Sequence, residues 1–271
     1  MFKFVHLALC SLLFASNAYA YHLDDHERIM RQAYAEFTKC FPQVAQKISV
    51  DDLVQGDLDE DQNLIVKELF YSHFYNPLKK INQRWRKGSD GRLTDLSPKL
   101  QQCRTSGGAW DADMAHNLGY AIHHFQDMTV PAHVIPVMHT MNDGFEVYAL
   151  TEDISSGWSC ADISSSYIDD LLAVLKSTAL TTMSAVDGYS VEAATAGGTQ
   201  AVVVKGVDFW RQSNDDSFGS YSDLGNVFGQ GNIQISQGSA QVQDQAYRDF
   251  KHQQMQSAVR ATLQGLVWAF H

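Results

Sequence analysis

Apolar residues recur at helical spacing along much of this chain. Ile29, Ala33, Tyr34 and Phe37 predict an amphipathic helix over 27–41, stopped by Pro42, and a shorter helix follows over 44–54. Leu118, Ile122 and Phe125 predict a helix over 109–128. Ile168, Leu171, Leu172, Val174 and Leu175 predict another over 167–183. A long terminal helix is expected over 240–270, where Phe250, Met255, Val259, Leu263 and Val267 form one stripe. Such a stripe reads as core and not as a binding face. Between the last two, residues 186–238 are rich in Gly, Ser, Asn and Asp around a β-branched run at 201–204. That stretch predicts loops with a short hairpin, and has too few alternating segments for a separate β-sandwich. The pattern therefore predicts an all-α, mainly helical fold, with a loop-rich insertion in its C-terminal half and no internal repeat.

The first twenty residues depart from this pattern. Lys3 precedes an apolar run from Phe4 to Phe14, and Ala18-Tyr19-Ala20 follows. This is the order of a secretory signal cleaved after Ala20, and its apolar run is too short to span a bilayer. The expectation is a secreted or periplasmic protein without a transmembrane anchor, comprising residues 21–271, a length that suits one large domain or a domain plus a small appendage. Removing the leader leaves 251 of 271 residues and shifts the formal net charge from −11 to −12. An acidic surface argues against holding a polyanion such as duplex DNA by charge alone. Cys40, Cys103 and Cys160 remain, enough for one disulfide and one leftover thiol, with the pairing open. None has CxxC spacing, which disfavours a thiolate metal site.

Candidate chemistry concentrates between Tyr21 and Glu146. His123 and Asp127 are four residues apart on one helical face, the spacing at which two side chains can grip one metal ion. Pro131 ends that helix, and His133 follows where a tight turn can swing its imidazole back. Imidazole and carboxylate are the ligands zinc takes outside thiolate sites. His26 lies beside Asp24 and Asp25 at a helix start, and His139 and Asp143 lie between His133 and Glu146. The acidic run Gly56 to Asp61 taken alone reads as a solvated loop. His116 and His124 read as structural neighbours of the ligands. Lys79, Lys80, Arg84, Arg86 and Lys87 form the most basic stretch, read as a solvated face or, more weakly, as a contact for anionic headgroups.

The run H-x3-D-x5-H with a proline two residues before its last histidine, joined to HFYNP at 73–77, resembles the signature of the bacterial zinc-dependent phospholipases C. That helical family shares a superfamily with zinc-dependent single-strand-specific nucleases. The resemblance covers Tyr21 to Glu146 and implies two or three zinc ions. His73, His123, Asp127 and Asp61 would hold the first, with Asp59 the reserve for Asp61. His133, Glu146 and His139 would hold the second. The backbone of Tyr21, as the first mature residue, would hold the third with His26 and Asp127. The family motif here is a histidine, two residues, then Phe and Glu, and Asn142 stands at the histidine's place before Phe145-Glu146 in this chain. His139 is the expected substitute, with Asp143 a further candidate. Asp61 is the implied general base. The implied activity is cleavage of a glycerophospholipid, at a membrane or micelle surface, to diacylglycerol and a phosphorylated headgroup by a monomer that binds no nucleic acid. The alternatives are a single-strand nuclease of the same superfamily and a catalytically silent, zinc-stabilised envelope protein.

Overall fold

The computed structural model describes residues 21–62, 73–79, 88–105, 110–139, 143–195, 201–236 and 238–271. The leader, the basic positions Lys80, Arg84, Arg86 and Lys87, and Asn142 lie outside the described residues. The protein is mainly helical, with about 59% of the described residues in helices. The principal helices are α1 (Leu23–Cys40), α3 (Val50–Gln62), α4 (Ser89–Thr105), α5 (Ala112–Asp127), α9 (Leu171–Gly188) and α11 (Asp244–Phe270). Short turns of helix join them: α2 (Pro42–Ala45), α6 (Pro131–Val134), α7 (Gly144–Val147), α8 (Cys160–Ser165) and α10 (Gly206–Phe209).

Local chemistry explains where the site-bearing helices begin and end. Asp24 and Asp25 lie in the first turn of α1 and Lys39 in its last, each charge opposing the helix dipole. Asp111 caps α5 by accepting a hydrogen bond from the Met114 amide, so the helix starts three residues later than its apolar period suggested. After Asp127 the chain turns, and Pro131 at the first position of α6 starts a single helical turn that carries His133. Asp143 and Glu146 form a capping box around α7, fixing the Glu146 carboxylate to the Asp143 amide at 3.0 Å.

The buried apolar side chains form one cluster. Helix α5 runs through it and packs on α3, α4 and α11, while α1 packs on both α3 and α11. The α3–α5 crossing is a backbone-to-backbone contact between two glycines. A Cβ on Gly56 would lie 2.1 Å from the His116 carbonyl oxygen, and one on Gly119 would lie 2.2 Å from that of Leu53. No other residue permits this approach, which sets the side chains of α3 against those of α5. A disulfide, Cys40–Cys160, ties the end of α1 to the start of α8.

Two expectations are corrected. The acidic run 56–61 is not a solvated loop but the second half of α3, with Asp57, Glu60 and Asp61 buried. The segment 186–238 holds more than one hairpin. Strands β1 (Ser190–Thr195), β2 (Ala201–Lys205), β5 (Asn232–Ile235) and β6 (Gly238–Gln241) form an antiparallel sheet in the order β2-β1-β6-β5, and β3 (Trp210–Arg211) pairs with β4 (Ser220–Tyr221). Each strand of the larger sheet buries a single side chain, Ala193, Val204, Ala240 or Ile233, so the alternation along any one of them is faint. The terminal helix accordingly starts at Asp244, since Ala240 belongs to β6.

Candidate metal centre

Five segments converge on one buried cluster. Helix α1 brings His26, α3 brings Asp61, the loop before α4 brings His73, α5 brings His123 and Asp127, and the 131–147 region brings His133, His139 and Glu146. Their donor atoms form four overlapping trios: His26–His123–Asp127, Asp61–His73–His123, His73–Asp127–His133, and His133–His139–Glu146. Within each trio the donor atoms lie within 4.8 Å of one another. All eight side chains singled out in the sequence are therefore brought together.

Asp127 is the hub. Its Oδ2 lies 2.6 Å from His73 Nδ1, 3.3 Å from His123 Nε2 and 3.6 Å from His133 Nδ1, and its Oδ1 lies 3.7 Å from His26 Nε2. At the other end Glu146 Oε1 lies 3.3 Å from His133 Nε2 and 3.1 Å from His139 Nε2. His139 Nδ1 donates to the Val137 carbonyl at 2.8 Å, which leaves Nε2 facing the glutamate.

The open choices among neighbours resolve geometrically. Asp61 joins His73 and His123, whereas Asp59 turns away to His116, 2.7 Å from its Nε2. Asp143 stays out of the cluster: its Oδ1 caps Phe145, and its Oδ2 accepts from Tyr221 at 2.8 Å and Trp210 at 3.2 Å. His124 faces Glu60 at 3.2 Å, and Arg92 grips Glu60 through two 2.9 Å hydrogen bonds. Tyr21 is buried; its amide nitrogen lies 3.4 Å from His26 Nε2, and its hydroxyl meets Thr129 at 2.8 Å.

Sequence reasoning passed over three residues that shape this region. Asp57 faces both His26 and His123, Gln126 hydrogen-bonds to Asp57 and His26, and buried Lys251 reaches the Phe145 carbonyl at 2.9 Å and Asp25 at 3.2 Å. Leu53, Asp57 and Asp61 recur at four-residue steps, and extending the α3 helix across the acidic run would have pointed both carboxylates inward with Leu53.

The electrostatics suit a cation. Burial works against charge on His133, yet the Asp127 and Glu146 carboxylates outweigh it and raise its pKa to about 9. Burial likewise opposes ionisation of Glu146, but His139 and His133 lower its pKa to about 2. His123 is raised and Asp127 lowered in the same way, against the cost of burial. The buried Asp127 Oδ1 and His133 Nδ1 have no hydrogen-bond partner. Buried polar atoms ordinarily have one, so imidazole and carboxylate donors left open in a mixed N/O cluster fit a divalent metal. No protein-family model matches the chain, and no curated protein matches it.

Proposed function

We propose that this chain is a zinc-dependent phosphodiesterase and that its substrate is a glycerophospholipid, cleaved to diacylglycerol and a phosphorylated headgroup. The observation that carries the reading is the set of four trios sharing His73, His123, Asp127 and His133. Shared ligands mean neighbouring cations, and neighbouring cations serve in-line displacement at phosphorus. Asp61, His73, His123 and Asp127 would hold one ion, His133, His139 and Glu146 a second, and His26 with Asp127 and the Tyr21 backbone a third. Zinc so bound supplies Lewis acidity, drawing the phosphodiester oxygens and bringing the pKa of water towards neutrality.

The remaining work falls to side chains. Asp61 is the general base, taking the proton of the attacking water. Asp127, charged and central, holds His73, His123 and His133 in one arrangement. Signal cleavage after Ala20 would convert the Tyr21 amide, already beside His26, into a free amino donor. The HFYNP run and the acidic surface favour a lipid over a nucleic-acid substrate.

The test is zinc stoichiometry on the processed protein, with phosphatidylcholine and single-stranded DNA hydrolysis measured with and without chelator. Two or three zincs and chelator-sensitive lipid cleavage are expected. DNA cleavage alone would move the protein to the nuclease branch, and zinc with neither activity would leave a metal-stabilised envelope protein. Asp127→Asn is expected to lose at least one zinc and more than about 100-fold of the activity, since even outer partners of metal ligands contribute 10–100-fold. Wild-type turnover in that variant would overturn the ligand assignment.

A further inference from the structure

The buried carboxylate of Asp57 touches no predicted metal position, yet it lies behind two ligands that come from different helices. Its Oδ1 lies 3.0 Å from His123 Nδ1 on α5 and 3.3 Å from His26 Nδ1 on α1. Its Oδ2 accepts a 2.9 Å hydrogen bond from Gln126 Nε2, and Gln126 Oε1 in turn accepts from His26 Nδ1 at 2.6 Å. The two imidazoles stack, with centroids 4.3 Å apart and planes 22° apart. Both Nε2 atoms therefore face the cluster: that of His123 towards His73 and Asp127, that of His26 towards Asp127 and the Tyr21 nitrogen.

We propose that Asp57 is the shared positioning residue of the centre, one carboxylate that fixes the tautomer and ring orientation of both His26 and His123 and so sets the affinity of the two metal positions these histidines serve. The proposal rests on the metal reading above. A carboxylate accepting the Nδ1 proton leaves the Nε2 lone pair directed at the ion and makes it more basic. Asp57 Oδ1 accepts from His123 Nδ1 at 3.0 Å and stands 3.3 Å from His26 Nδ1, whose nearer acceptor, Gln126, is itself held by Asp57 Oδ2. One carboxylate thus couples the two positions: what loosens one histidine loosens the other. Gln126 contributes on one side only, since it bonds to His26 and Asp57 but has no bond to His123. The fourth trio, His133–His139–Glu146, includes neither histidine that faces Asp57 and is an internal control.

The experiment is a zinc titration of the full processed protein, stripped of metal, against a chromophoric competing chelator. It is run on wild type, Asp57→Asn and Gln126→Met, and repeated with cobalt(II) to read ligand geometry from the visible spectrum. Asp57→Asn preserves shape but offers a neutral acceptor. It is expected to weaken two positions by about 10- to 100-fold and alter the cobalt spectrum, leaving one position at wild-type affinity. Gln126→Met is expected to weaken only one. Uniform weakening of every position in Asp57→Asn, in step with a lower melting temperature, would reduce Asp57 to a structural role and overturn the proposal. So would wild-type affinity at all positions. If Asp57→Asn does not fold, Gln126→Met decides alone, and unchanged affinity there overturns the coupling. A wild-type protein that takes up no zinc would instead sink the metal reading itself.

Discussion

His133 is the residue at which, on the proposed reading, metal and proton would compete for the same place. Its pKa of about 9 lies above the ordinary 6.5, so in metal-free protein it stabilises the fold fully below about pH 6.5, and that contribution disappears as pH rises through 9. Glu146, lowered from 4.5 to about 2, stabilises the fold above 4.5 and loses its contribution as pH falls through 2. The two windows overlap between 4.5 and 6.5, where the metal-free protein is expected to be most stable. Zinc requires a neutral imidazole, so the metal-bound form should show the reverse trend above that window. Thermal melts at about pH 5.5 and about pH 8.5, with zinc and with chelator, check this: the gap between the two forms should widen as pH rises. A gap of constant size would remove His133 from the ligand set.

At the scale of elements, the α3–α5 crossing decides whether the carboxylates of one helix reach the histidines of the other. Gly56→Ala or Gly119→Ala places a methyl group 2.1 or 2.2 Å from a carbonyl oxygen, so the helices must separate. Each change is expected to cost roughly 1–3 kcal/mol of stability and to weaken zinc binding through displaced Asp57 and Asp61. Gly188→Ala, where an added Cβ meets nothing within 4 Å, is the control and should leave both melting temperature and zinc affinity unchanged. The helices that carry His26, His123 and Asp127 were legible because one buried stripe at 3.6-residue period is a local signal. The turn that returns His133 was legible from Pro131. The buried half of α3 was not, because Asp57, Glu60 and Asp61 have the composition of a loop, and the partners of Asp57 and Glu60, namely His26, His123, His124 and Arg92, lie far away in sequence. Asp57 and Gln126 escaped for the same reason: their role follows from a glycine crossing between segments some sixty residues apart. The strands of the C-terminal half were faint because each shows only one inward side chain.

Across the whole molecule, the cluster draws its donors from residues 26 to 146, while the C-terminal half supplies the surroundings that hold them. Lys251 on α11 bonds to the Phe145 and Glu146 carbonyls and to Asp25, and lies 4.6 Å from the centre of the Tyr21 ring. No helix among the described residues is long and apolar enough to cross a membrane. The disulfide Cys40–Cys160 spans 120 residues of sequence but includes no member of the cluster. Replacing both cysteines by alanine is expected to remove about 2–5 kcal/mol, a fall in melting temperature of roughly 5–15 °C, with the zinc count unchanged. Loss of zinc in that variant would show that the cross-link helps shape the site.

The packing of α1 against α11 also orders events during synthesis. His26 and Phe37 are among the first of these side chains to leave the ribosome, yet Lys251 and Phe270, which close over that helix, are among the last. Until translation nears completion the face of α1 that packs on α11 stays uncovered, however many of the clustered histidines have already been made. A chain whose first helix is covered by its last cannot complete its core until the final turns of α11 have been made.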